Sequence, residues 1–173
     1  MYHIPTTEQV DWVGKTLGPL GVRLLSRIEI LKSDEKCPAY CLSAGSLWPG
    51  CVQVIYPGKQ SENPFIFVHE MAHAYHSIHF PHLTEVVSVA RAEACALVAE
   101  ETLANFLPGD DLLVKERRKA WQQAILASEP LALAWKIAFM ALRHRYDYDV
   151  SLHNLFELIL FGMFEDDSKA IRH

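Results

Sequence analysis

The chain has 173 residues, 50% of them hydrophobic and 21% charged, a balance that excludes a disordered, fibrous or linker-like polypeptide. Sixteen Lys plus Arg against 21 Asp plus Glu leave a formal charge of −5, so neither nucleic acid nor an anionic membrane is expected as a partner held by a global field. The unusual total is 9 His, of which His69, His73, His76, His79 and His82 share one short stretch.

Taken in chain order, Thr7 to Leu17 carries Val10, Val13 and Leu17 at helical spacing, with Gly18-Pro19 as a stop. Val22 to Leu31 is rich in Leu and Ile and reads as a first strand of ambiguous period. Cys37 to Ser46 reads as a loop or short strand. Cys51-Val-Gln-Val-Ile-Tyr56, β-branched and closed by Pro57-Gly58, reads as a strand. Asn63 is a good N-cap and Pro64 suits a first helical position, so a helix is expected from there to Ile78 or His79, stopped by Pro81. Thr84 can cap a further helix running through Glu85 to about Phe106. Asp110 and Asp111 favour the start of another, up to about Ala127. Ser128 and Pro130 open one to about Tyr146, and Ser151 a last one to about Phe164. The expectation is a single α+β domain over residues 1–173, helix-dominated, with a small N-terminal sheet.

The first residues carry neither a basic segment nor an apolar one of the secretory kind. Leu131 to Leu142 and Leu152 to Phe164, interrupted by Lys136 and Glu157, are too short to span a bilayer. Cys37, Cys41, Cys51 and Cys95 read as reduced thiols of a cytoplasmic protein, or of one secreted without a signal as toxins and effectors are.

Within the helix after Asn63-Pro64 stands Val68-His69-Glu70-Met71-Ala72-His73, an H-E-x-x-H pattern. Two His four residues apart lie about 40° apart around the helix axis, one turn above the other, so their rings can converge on one ion. Neutral imidazole suits zinc, and three protein ligands leave a fourth position for water. Glu70 lies about 100° around the helix from His69 and can reach that water as general base without binding the metal. Two core histidines with a buried Glu between them would be costly without a metal.

Three residues compete as third ligand. His79 stands six residues beyond His73, the metzincin spacing, but His76 occupies the position where that arrangement needs Gly to turn the chain. Glu93 and Glu100 are seven apart on a helix of small residues, hence on nearly one face, where a carboxylate is expensive unless paired or bound to a cation. Glu93 is preferred: it comes twenty residues after His73, and the loop Phe80 to Leu83 is short enough to return an antiparallel helix. The other Glu could orient a ligand His, and Glu101 is expected on a solvated face.

These residues resemble the gluzincin branch of zinc metallopeptidases of the zincin superfamily. Val68-His-Glu-Met-Ala-His-Ala is similar to the active-site helix, and Ala92-Glu-Ala-Cys-Ala to the glutamate helix, over roughly residues 51 to 108. The small size resembles minigluzincins and the repressor-cleaving or radiation-response metallopeptidases of phage and bacteria; His73-Ala-Tyr-His76 is similar to toxin and effector proteases. One departure is Leu97, where thermolysin-like enzymes have Asp four residues after the Glu ligand. The resemblance implies peptide-bond hydrolysis, Zn²⁺ held by His69, His73 and Glu93, and a substrate peptide paired along the edge strand Cys51 to Tyr56. An oxyanion donor could come from Tyr146, Tyr148, His144 or His153.

Other signals carry less. Cys37-Pro-Ala-Tyr-Cys41 lacks a second pair of zinc-finger spacing. Cys41-Leu-Ser is similar to the cysteine motif of peptide deformylases, an alternative amide hydrolase, but the interval to His69 is short and the Gly-rich first motif is absent. Arg117-Arg118-Lys119 reads as a solvated helix face, and the Leu- and Phe-rich last helix as core or as a surface for a homo-oligomer or partner. The rival class is a catalytically silent module that keeps a zincin-like shape for binding or regulation.

Overall fold

The computed structural model describes residues 1–43 and 51–165. The fold is α+β, a three-stranded mixed sheet in the N-terminal half followed by helices. The chain forms two compact units, Met1–Glu85 and Val86–His173.

In the first unit, α1 (Thr7–Leu24) opens on a capping box: the Gln9 N–H donates to Thr6 Oγ1 at 3.2 Å and the Thr6 N–H to Gln9 Oε1 at 2.9 Å. The expected stop at Gly18-Pro19 is a kink instead. Gly18 takes φ 67°, which costs glycine little, and Pro19 is preset to restart the helix. The restarted turn buries Leu24, so the strand anticipated from Val22 begins only at β1 (Glu29–Ser33). β2 (Tyr40–Ser43) falls inside the segment read as loop or strand; its last residues, 44–46, lie outside the described residues. β3 (Val52–Pro57) matches the strand anticipated at Cys51 to Tyr56.

The sheet order is β1-β3-β2, with β3 parallel to β1 and antiparallel to β2. This corrects the expectation that Cys51 to Tyr56 offers a free edge. β3 is central because it is the most apolar strand, with Val52, Val54, Ile55 and Tyr56 all buried, and its backbone is committed to ladders on both sides. The edges are β1 and β2.

α2 (Pro64–His79) packs on α1, β2 and β3. Asn63 Oδ1 accepts from the N–H groups of Phe65 and Ile66, and Pro64 occupies the first turn, as its residue type predicts. The buried Tyr56 hydroxyl donates to the Phe67 carbonyl at 2.9 Å, and the two rings stack at 5.2 Å. Gln9 Nε2 donates to the Ser61 carbonyl at 2.7 Å, tying α1 to the turn that leads into α2. Gln60 bonds the backbone of Ala39 and Cys37 and so anchors the approach to β2. A short helix, α3 (Pro81–Thr84), closes the unit.

The second unit is helical: α4 (Val89–Ala104), α5 (Leu112–Ala127), α6 (Glu129–Tyr148) and α7 (Leu152–Leu160). The cap of α4 is Ser88, whose hydroxyl accepts from the Arg91 N–H, rather than Thr84 as its sequence position indicated. Ala94, Ala96 and Ala99 of α4 and Ala134, Ala138 and Ala141 of α6 are buried, and these small residues let the two helices pack closely. α7 buries Leu155, Phe156, Ile159 and Leu160, which seat it on α4 and α6. No described helix is long and apolar enough to cross a membrane.

Candidate metal centre

His69 and His73 project from one face of α2, and their Nε2 atoms stand 3.2 Å apart with the ring planes at 75°. Two nitrogen ligands about 2.0–2.1 Å from a tetrahedral ion would be separated by roughly 3.3 Å, so the pair is spaced as donors to one metal require. Among the described residues, Glu93 of α4 joins them: one ligand atom from each of His69, His73 and Glu93 lies within 4.8 Å of the others. Two imidazoles and a carboxylate could hold a divalent metal ion.

The remaining candidates fall elsewhere. α2 stays helical through His79, whose ring lies against Tyr75 at 4.4 Å between centroids, outside the group of three. Glu100, the other carboxylate considered as a ligand, is buried in an ion pair. Its Oε2 accepts from Arg117 Nε at 2.6 Å and from Trp121 Nε1 at 2.9 Å. Arg117 Nη1 also donates to Glu101 Oε1 at 2.7 Å. Arg117 is thus not on a solvated face as the basic run suggested; it is 6% exposed and pairs with two carboxylates of α4. Cys41 is likewise outside the group, and its thiol is pushed up to about 12 by burial and then by the charge of Glu70. The position of Cys41 outside the group removes support from the deformylase-like alternative, which needs Cys as third ligand.

Glu70 is buried on α2, with Oε1 4.0 Å from His69 Nε2. Its field reaches both strands that α2 covers: after burial, it is the next cause that raises the Cys41 thiol on β2 and the Tyr56 hydroxyl on β3. The carboxylate therefore lies within electrostatic reach of Cys41 and Tyr56 and beside His69, and is not one of the three residues that could hold an ion.

Two polar residues to which the sequence assigned no part in the site adjoin His73: His76, directly, and Thr84, read there as a helix cap, through it. His73 Nδ1 is 3.1 Å from His76 Nε2, and His76 Nδ1 is 3.0 Å from Thr84 Oγ1. The Thr84 hydroxyl donates to the His76 carbonyl at 3.0 Å. His76 is 3% exposed, and burial, followed by the neighbouring His73, holds its imidazole well below the usual pKa and hence uncharged. The i, i+3 spacing of His73 and His76 was the available signal for their contact. Of the residues named as oxyanion donors, Tyr146 and Tyr148 are exposed on α6. His144 packs against Tyr148 and Phe164, and His153 lies on α7.

No protein-family model, curated protein or solved structure matches the chain. The assignment of function therefore rests on the geometry of the centre.

Proposed function

We propose that the chain is a zinc-dependent peptidase of the gluzincin kind, in which His69, His73 and Glu93 hold the ion and Glu70 moves the proton. The observation that supports this most is the convergence of the His69 and His73 Nε2 atoms at 3.2 Å in one group with a carboxylate oxygen, beside a buried Glu that is not a member. Zinc, when bound, would supply the Lewis acidity that brings the pKa of water towards about 7 and polarises an amide carbonyl. Glu70 accepts a proton from the attacking water as the new C–O bond forms, and delivers it to the amide nitrogen as the C–N bond breaks. One water is consumed and a carboxylic acid and an amine are released.

The substrate peptide cannot add to β3, so the outer edge of β2, Tyr40–Ser43, is the better seat. Among the described residues no strand pairs with that edge, and β2 packs on α2. Backbone hydrogen bonds along it would hold an extended peptide largely independently of its sequence. All four cysteines are free thiols, which suits a cytoplasmic site of action.

The test compares wild type with Glu70→Gln for zinc content and for hydrolysis of an unfolded protein. The variant should keep its zinc and lose about 10²–10⁴ in rate, the usual contribution of a positioned acid–base group. If both bind zinc and neither cleaves, the chain is a metal-binding module; if wild type binds no zinc, the peptidase assignment fails.

A further inference from the structure

We infer that Gln60 is a positioning residue for the substrate: its side-chain amide stands in for a strand partner and holds β2 where an extended peptide can add to it. This deepens the peptidase assignment above and rests on it. Of the two strands at the edges of the sheet, β1 is already covered. Residues 1–3 lie along it: the Lys32 N–H donates to the Met1 carbonyl at 2.9 Å, the His3 N–H donates to the Ile30 carbonyl at 2.8 Å, and Tyr2 stands opposite Leu31. Among the described residues β2 has no such cover, so it is the edge left to a substrate.

An edge strand takes up a peptide at little cost only where its own backbone is already held extended. β2 has only 4 residues, and its pairing with β3 cannot be prolonged towards its start. Continuing the register in which Tyr40 faces Ile55 would set Pro38 opposite Pro57, and neither has an N–H to give. Gln60 takes over at that point. The Ala39 N–H donates to Gln60 Oε1 at 2.7 Å, and Gln60 Nε2 donates to the Cys37 carbonyl at 2.8 Å. These two bonds fix the sense of the amide: turned over, it would set oxygen against oxygen and N–H against N–H. A carbonyl and the N–H two residues further on are groups that a neighbouring strand would engage, so the side chain carries the ladder past the prolines. Gln60 also opens the single turn of 3₁₀ helix, Gln60–Glu62, that leads to the Asn63 cap of α2. One side chain thus fastens the substrate strand to the base of the helix that bears His69 and His73. Gln60 itself is outside the ligand group.

The experiment measures kcat and KM for reduced and alkylated insulin B chain, together with amide hydrogen exchange of the metal-free protein by NMR. Gln60→Met keeps the length of the side chain and removes both bonds. It should keep its zinc and its kcat, quicken exchange at Ala39, and raise KM about tenfold, the signature of lost binding rather than lost chemistry. Tenfold is a loss of about 1.4 kcal/mol, within the range of two hydrogen bonds. Gln60→Glu keeps the acceptor for Ala39 and loses the donor to Cys37, so its KM should fall between the two. An unchanged KM in Gln60→Met overturns the inference, as does a fall in kcat with KM unchanged; both leave the peptidase assignment standing. A wild-type Ala39 amide that exchanges as fast as an unstructured one overturns it without any variant having to fold. A wild type that takes up zinc and cleaves nothing removes the peptidase assignment, and the role of Gln60 with it.

Discussion

Replacing Arg117 by Met should cost the protein about a third or more of its stability. Arg117 and Glu100 are 6% and 4% exposed, and the guanidinium bonds Glu100 at 2.6 Å and Glu101 at 2.7 Å. Methionine fills much of the same volume, so the loss is electrostatic: the Glu100 carboxylate stays buried without its cation. Breaking such a pair from one side costs about 3–5 kcal/mol, against a total for a domain of about 5–15 kcal/mol. With a urea slope of about 1–3 kcal/mol per molar, the unfolding midpoint followed by far-UV circular dichroism should fall by on the order of 2 M. Adding Glu100→Leu should recover most of the loss, because two packed apolar residues no longer strand a charge. The doubly substituted protein should also bind zinc with wild-type stoichiometry, since Glu100 is outside the ligand group. A midpoint that barely moves in Arg117→Met refutes the buried-pair argument. A folded double variant that takes up no zinc makes Glu100 a ligand.

Three further outcomes are expected. His79→Ala should retain zinc, whereas His73→Ala should weaken it by at least about a hundredfold; loss of metal in the His79 variant alone would move the third ligand to the end of α2. Because the Cys41 thiol ionises only near about 12, its alkylation, followed by peptide mass spectrometry in the metal-free protein, should still rise about tenfold per pH unit between about pH 8 and 10. Glu70→Gln removes a cause of the shift and should quicken that alkylation at fixed pH, and a plateau below about pH 10 would contradict the burial. Gly162 takes φ 81°, and a Cβ there would collide with the Arg91 guanidinium that bonds Glu165 and the Leu160 carbonyl. Gly162→Ala should therefore cost about 1–3 kcal/mol in thermal unfolding, and an unchanged midpoint would show that Arg91 yields freely.

Helix α2 was legible almost to the residue because its limits are set by local chemistry: Asn63 as acceptor for orphan amides, Pro64 in the first turn and Pro81 after the last. The same holds for Asp111 before α5 and Ser151 before α7. The order of the strands was not legible, since pairing β1 with β3 across β2 is a non-local choice. The clue available was composition: β3 reads Val-Gln-Val-Ile-Tyr, too apolar for a strand with a solvated side. Arg117 was misjudged for a related reason. Sequence adjacency groups it with Arg118 and Lys119, but successive helical residues point about 100° apart, and only the fold brings the carboxylates of α4 to the first of the three.

The Leu at position 97 bears on how the centre is supported. Had this position held an acid, as the resemblance to thermolysin-like enzymes would require, α4 could have supplied an orienting carboxylate. Leu97 instead is fully buried with Ala94, Val98 and Ala99, where an ionised group would be prohibitively expensive. The contacts of His73 come from its own helix and the turn after it: His76 lies one turn beyond His73 on α2, and Thr84 lies eight residues further along the chain. A support made of short-range contacts costs little chain entropy to assemble and is in place whenever α2 and its closing turn are folded. His69, His73, His76 and Thr84 all belong to the first unit, so the contacts among them are set by that unit's own sequence.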